Sequence, residues 1–427
     1  MASAQTVQFT TLATFNGTNG SQPMAGLTLG NDGCFYGTTT GGGTNGLGTV
    51  FKVTTNGVLT SLVSFNNTNG QLPETRLTLG NDGNFYGTTL QGGTNVSYGT
   101  IFKMTTNGTL AQLFSFHGTN GQSPNELTPG NDGYFYGTTK QGGLLGSGTA
   151  FKVSTNGTLT TLTNFDSTGI NSGALTLRND GFFYGTCYGS GFDGILFKLA
   201  TNGALTTLAS FNNYTGTGPR APLAPGPDDN LYGATFFHGN NNQSLYSGTL
   251  FMATTNGALT PLVFFSNTNG ANPGPLTLGS NGNFYGTTGN NDSTNAGTIF
   301  KLTSGTLTTL FSFSPGATNQ SGLYTNGNGA FPNQLTQGND GSFYGTTFGG
   351  YTNGYGTVFK VTVIPLPPIP LTLQTLPGKT ILNWTNPVFS LQAAPEITGS
   401  FTNVPGATSP FTNAISGGRK YFRLIAN

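Results

Sequence analysis

Two histidines, two cysteines and thirteen acidic residues are what this 427-residue chain offers to acid–base or metal chemistry. The acidic residues are Asp32, Glu74, Asp82, Glu126, Asp132, Asp166, Asp180, Asp193, Asp228, Asp229, Asp292, Asp340 and Glu396. Six of them (Asp32, Asp82, Asp132, Asp180, Asp228, Asp340) recur at one position of a repeated phrase, first written Leu27-Thr-Leu-Gly-Asn-Asp-Gly33. Six lysines (Lys52, Lys103, Lys152, Lys198, Lys301, Lys360) likewise share a Phe-Lys position. A catalytic centre needs groups that occur once, whereas these come in near-symmetric sets. They read as turn geometry for Asp and as strand residues with a solvated head for Lys. A Lys–Asp bridge is not obligatory, because the repeat of Asp228 has Met252 for Lys and that of Lys301 has Asn281 for Asp.

The irregular groups carry no recognisable set either. Paired carboxylates for glycoside hydrolysis would come from residues such as Asp166, Asp193 and Asp292, which fall in different repeats. His117 and His238 lie three repeats apart and predict no shared metal. Gly41–Gly46 and Gly189–Gly194 fit a dinucleotide glycine pattern, yet both join strand to strand with no helix N-terminus to receive a pyrophosphate. Cys34 and Cys187 stand at different repeat positions and are expected to be buried free thiols. The reading is therefore of a non-enzyme, with no catalytic residue, no metal and no cofactor.

The elements that position these groups follow from the repeat. Its opening leucines are Leu27, Leu77, Leu127, Leu175, Leu223, Leu276 and Leu335, a period that means stacked supersecondary units. In the first repeat Leu27–Gly30, Phe35–Thr39, Thr49–Thr54 and Leu59–Phe65 read as strands. Asn31-Asp32-Gly33 and Asn56-Gly57 supply the tight turns. No segment has helical periodicity. The fold class predicted is all-β, a seven-bladed β-propeller over residues 1–362.

The seventh repeat stops after its third strand, Thr357–Thr362. The missing fourth stands at the start of the chain, where Phe9–Phe15 matches Leu59–Phe65. Residues 6–15 are thus expected to close the ring by completing the last blade, which removes an exposed edge. The linker 363–370 is Pro-rich and extended. Residues 371–427 read as a small β-sandwich-like module, undersized for independent folding.

Connections two-to-three and four-to-next are long and emerge on one face, including the insertions Phe236–Ser247 and Ser314–Gln334. Phe236, Phe237, His238, Tyr246, Leu323 and Tyr324 have no repeat duty there and form the candidate partner- or ligand-binding surface. The repeated Phe-Tyr pair is assigned to packing, since adjacent strand residues face opposite ways.

Charged residues make up 6% of the chain and the net charge is +1, so no field draws it to nucleic acid or an anionic membrane. No apolar run is long enough to span a bilayer. Ala2-Ser-Ala4 has the small-residue form of a signal-peptidase site, and a secreted chain without its leader is expected.

Phe35-Tyr-Gly-Thr-Thr39 followed by Gly48-Thr-Val-Phe-Lys52 resembles the GloVer tandem-repeat proteins, bacterial, secreted or surface-anchored and propeller-like; the likeness covers about residues 6 to 362. The C-terminal phrases look like the short sandwich modules that end similar exported proteins. The resemblance implies export and β architecture, and no catalytic residues. The function expected is a structural or adhesive extracellular protein that self-associates through its C-terminal arm, as an oligomer or filament, or binds the cell surface. A glycan-binding propeller is the alternative, and a polysaccharide-active enzyme the third choice.

Overall fold

A computed structural model describes residues 5–94, 98–166, 172–188, 193–237, 247–266, 269–289, 296–319, 323–365, 371–385, 389–396, 398–414 and 420–426. Phe9–Val361 form one compact unit, and Thr362–Asn427 with the residues ahead of Phe9 form a second. The described residues contain strands, turns and no helix.

The first sheet shows why the repeat folds as it does. Its strands are Thr28–Leu29, Phe35–Thr39, Thr49–Val53 and Leu59–Ser64, paired antiparallel in that order. Gly33 takes a φ of +74°, the conformation its tight turn requires and glycine accepts without cost. Gly37 is small for another reason: a Cβ there would come within 2.5 Å of Cζ of Phe51 on the paired strand. Phe35 and Tyr36 are fully buried, one toward each neighbouring sheet.

Later repeats give equivalent sheets around Phe85–Thr89, Phe135–Gln141, Phe183–Cys187, Leu231–Phe237, Phe284–Thr288 and Phe343–Gly349. They are called the second to the seventh sheet. Six of the junctions between consecutive sheets share a Tyr–Phe ring contact. Tyr36 packs on Phe85 with centroids 4.1 Å apart, Tyr86 on Phe135 at 4.2 Å and Tyr136 on Phe183 at 4.2 Å. Tyr232 packs on Phe284 at 4.3 Å, Tyr285 on Phe343 at 4.0 Å, and Tyr344 returns to Phe35 at 4.2 Å. Each such pair contributes about 0.5–1.5 kcal/mol beyond its buried area. Between the fourth and fifth sheets Tyr184 meets Leu231 in place of a phenylalanine, and Phe211 packs on Phe251 at 4.9 Å. A hydroxyl latch follows the same path: Thr78 donates to the carbonyl of Leu127 at 2.6 Å, and Thr336 donates to that of Leu27.

The seventh sheet takes the N-terminal strand Gln5–Thr14 beside Thr357–Pro365. The Phe15 amide donates to the Gly356 carbonyl at 3.1 Å, as Phe65 does to Gly48 at 3.0 Å within the first repeat. Asn353 caps the Phe15 carbonyl at 2.7 Å, as Asn45 caps that of Phe65 at 2.8 Å.

In the second unit, Thr372–Leu376, Lys379–Asn383 and Phe411–Ala414 form one three-stranded sheet. Thr402–Asn403, Phe389–Ala394 and Tyr421–Ala426 form another. Leu382, Trp384 and Leu391 are the buried centre. Phe411–Ala414 is a strand that sequence patterning did not pick out. The expected linker begins later than read, because backbone pairing holds the chain in a strand through Pro365; residues 366–370 lie outside the described residues.

Candidate active site

Residues that immediately precede the seven opening leucines converge on one cavity of about 590 Å³: Gly26, Arg76, Glu126, Ala174, Pro222, Pro275 and Gln334. Each of these residues stands two places ahead of a two-residue strand, such as Thr28–Leu29 or Thr78–Leu79, and borders the cavity. Two more repeat positions reach the same space. Three places ahead of the leucine stand Glu74 and Arg220, and just beyond Phe-Tyr-Gly-Thr-Thr stand Lys140, Tyr188 and Phe236. The unit Phe9–Val361 has two glutamates, and both line the cavity. Outside the Phe-Lys position it has four cations, and three of them (Arg76, Lys140, Arg220) line it too.

The walls differ. On one side Lys140 Nζ lies 3.4 Å from Glu74 Oε2, and Arg76 Nε donates to Thr28 Oγ1 at 3.3 Å. Glu126 keeps part of its surface open to the cavity, but protein packs densely around it. That desolvation pushes its carboxyl up to about 7, against a smaller downward pull from the Arg76 charge. A carboxyl that ionises near neutrality can take and return a proton. On the other side, Thr287 Oγ1 and Asn272 Oδ1 are buried with no hydrogen-bond partner among the described residues. The equivalent hydroxyls of Thr38, Thr138 and Thr346 reach main-chain carbonyls of Thr75, Gly173 and Ala25 at 3.1, 2.8 and 2.9 Å. Arg220 lies between rings, its guanidinium carbon 4.4 Å from the Tyr188 centroid and 4.8 Å from that of Phe236.

A second cavity of about 840 Å³ is lined by the first strands of several sheets; Arg76, Glu126, Pro222 and Gln334 line both cavities.

Of the residues expected at a contact surface, Phe236 lines the first cavity and Phe237 packs edge-on against it at 5.1 Å. Leu323 and Tyr324 sit away from it. Tyr324 opens the short strand Tyr324–Thr325, accepts the Gly316 amide at 2.6 Å and packs on Phe331 at 5.1 Å. His238 and Tyr246 lie outside the described residues, as does Asp292. The ring nitrogens of His117 are engaged within its own turn, by Thr119 at 3.0 Å and Asn120 at 2.8 Å. Among the described residues no group of three or more His, Cys, Asp or Glu could hold a metal ion.

The premise that no carboxylates come together does not hold, because Glu74 and Glu126 share a cavity. Sequence reasoning passed over them by weighing irregular aspartates one at a time. The usable signal was positional: in a chain with 6% charged residues, Glu74, Arg76, Glu126, Lys140 and Arg220 fall at three places of the repeat.

The repeat model described as "Gloeobacter/Verrucomicrobia repeat" matches residues 2–193 and 169–331. The chain belongs to the Gloeobacter/Verrucomicrobia repeat family. A comparison with curated proteins finds no match. Among solved structures, this member of the repeat family is similar to a "putative 6-phosphogluconolactonase" of Bacteroides uniformis. The identity is 16% and the TM-score 0.52, over 93% of this chain and 99% of the other. A protein of Bacteroides fragilis with the same description aligns at 17% identity and TM-score 0.50, over 94% and 98%. These likenesses establish the fold, propeller-like and all-β.

They also correct the function expected from sequence. The sequence points to a non-enzymatic structural or adhesive protein, self-associating through its C-terminal arm, on its low charge, rigid repeats, Pro-rich arm and undersized terminal module. The neighbours in fold are described as lactonases, not as adhesive or filament-forming proteins, and Glu74, Arg76, Glu126, Lys140 and Arg220 line one cavity.

Proposed function

We propose that Phe9–Val361 form a closed seven-bladed propeller whose central cavity opens a sugar-type lactone by hydrolysis, with the sheets of residues 371–426 as a small sandwich module. The observation that carries this reading is Glu126, a carboxyl raised to about 7 beside Arg76 in a cavity built by all seven repeats. The unpartnered oxygens of Thr287 and Asn272 suit a polyhydroxylated ligand, because a substrate hydroxyl would donate to acceptors otherwise buried in vain. The lactonase descriptions of the fold neighbours supply the bond class.

In this reading water attacks the lactone carbonyl carbon while Glu126 takes its proton. Arg76 faces the negative charge that develops on the carbonyl oxygen. The tetrahedral adduct collapses with cleavage of the ring C–O bond, and Glu126 returns the proton to the departing alkoxide. Product is the hydroxy acid, and the enzyme ends in its starting state.

The test is base uptake at constant pH with glucono-1,5-lactone and its 6-phosphate, corrected for spontaneous opening. Catalysis should appear in the wild type and fall about 10²–10⁴-fold in Glu126→Gln, the usual worth of a positioned acid–base group. Opening of both lactones at the buffer rate overturns the proposal.

A further inference from the structure

The cavity carries more positive charge than catalysis uses. Lys140 is held by Glu74 at 3.4 Å, and Arg76 faces Glu126. Arg220 differs from both. Among the described residues no carboxylate lies within ion-pair distance of it, and its partners are the faces of Tyr188 and Phe236. Those contacts use the flat surface of the guanidinium. Among the described residues nothing hydrogen-bonds its N–H edge, the part that binds oxyanions in pairs of parallel hydrogen bonds. The rings also limit rotamer freedom, so less entropy is lost when a ligand docks.

Arg220 is itself a departure from the repeat. The same place holds Met24 in the first repeat, Ser172 in the fourth, and Pro273 and Pro332 in the sixth and seventh. Tyr188 and Phe236 are likewise departures, standing where the first and sixth repeats have Thr40 and Gly289. The seventh repeat also has an aromatic at the rings' place, Phe348, but an arginine stands between two rings only at Arg220, on the cavity wall opposite in character to Glu126. Arg220 is exposed, and the two half-buried rings hold its guanidinium at the cavity wall.

Resting on the reading of the cavity as an active site, we infer that Arg220 is the specificity-determining residue for an acidic sugar lactone, docking an anionic substituent, phosphate or carboxylate, away from the bond that Glu126 opens. Tyr188 and Phe236 act as positioning residues that hold the guanidinium flat.

The experiment compares neutral glucono-1,5-lactone with its 6-phosphate and with glucaro-1,4-lactone, which carries a carboxylate, in wild type and Arg220→Gln. The expected result is a preference of the wild type for one acidic lactone and a KM for it raised at least tenfold in the variant, with kcat within twofold. The KM for the neutral lactone should stay put. Tyr188→Leu should raise the same KM by a smaller factor. Equal KM values for neutral and acidic lactones in the wild type, or a variant that weakens both alike, overturns the inference while leaving the hydrolase standing. If no lactone is opened, calorimetric binding of 6-phosphogluconate and glucarate still decides the point. At least tenfold weaker binding of either acid by Arg220→Gln supports the anchor, and unchanged or absent binding of both by the wild type refutes it.

Discussion

Arg178 reaches from the fourth sheet to the fifth and donates from Nη2 to Asp229 Oδ1 at 3.0 Å. Both residues stand where other repeats have glycine, Arg178 in place of Gly30 and Asp229 in place of Gly33. Asp229 keeps the left-handed backbone of that turn, with φ +62° against +74°. At Gly30 a Cβ would lie 3.2 Å from the Phe85 ring of the next sheet. The fifth sheet has Leu231 for that phenylalanine, which opens space on the side where Arg178 is buried. Three departures from the repeat therefore coincide at one junction.

A double-mutant cycle measures what that junction is worth. Asp229→Gly relieves a positive-φ residue, a gain of about 1 kcal/mol, but leaves the guanidinium without its carboxylate. In the Arg178→Gly background the second cost disappears. Urea unfolding should show Asp229→Gly more favourable in that background than in the wild type by about 0.5–2 kcal/mol, the range for contacting charged pairs. Additivity of the two changes would contradict the account.

Glu126 makes two pH-dependent demands of opposite sense. As a base it must be ionised, so lactone opening should fall as pH drops through about 7 and level off above it. For stability the sign reverses. The folded carboxyl ionises near 7 while the unfolded one does so near 4.5, so between these values the folded state binds the extra proton and stability declines as pH rises. The melting temperature of the wild type should drop between pH 5.5 and 8, and Glu126→Gln should flatten that drop.

Thr287 and Thr346 occupy one repeat position with different duties. The Thr346 hydroxyl donates to the Ala25 carbonyl at 2.9 Å, whereas that of Thr287 is buried without a partner. Thr346→Val should cost about 1 kcal/mol in unfolding free energy. Thr287→Val should be neutral or stabilising yet raise KM about fivefold, a split that a purely structural hydroxyl would not show.

Phe15 seals the seventh sheet. It is fully buried, packs edge-on against Phe51 at 5.0 Å, and its amide bonds to Gly356. Phe15→Ala should cost about 3–5 kcal/mol, as expected of a large ring removed from a core. Leu373→Ala, at a residue 61% exposed in the C-terminal unit, should cost under 0.5 kcal/mol.

Much of the fold was legible because its causes are local. Asn31-Asp32-Gly33 prescribes a turn, alternation of Phe35 and Tyr36 prescribes two buried faces, and the match of Phe9–Phe15 to Leu59–Phe65 anticipates which strand joins the seventh sheet. The active-site candidate was not legible in that way. Glu126 looked like one more irregular acid, and its nearest functional companion Arg76 is fifty positions earlier in the chain. Phe236 was singled out, but as an exposed loop aromatic rather than as the wall of an arginine slot.

The amino-acid order by itself determined the strands, the turns and the repetition, since those depend on steric and hydrogen-bonding preferences of neighbouring residues. Only tertiary structure decided that Glu74, Arg76, Glu126, Lys140 and Arg220 share one cavity. The physical reason is that successive repeats present three equivalent positions to one cavity. Groups some fifty residues apart thereby become neighbours, and crowding there gives a single glutamate an acidity that its sequence context does not encode.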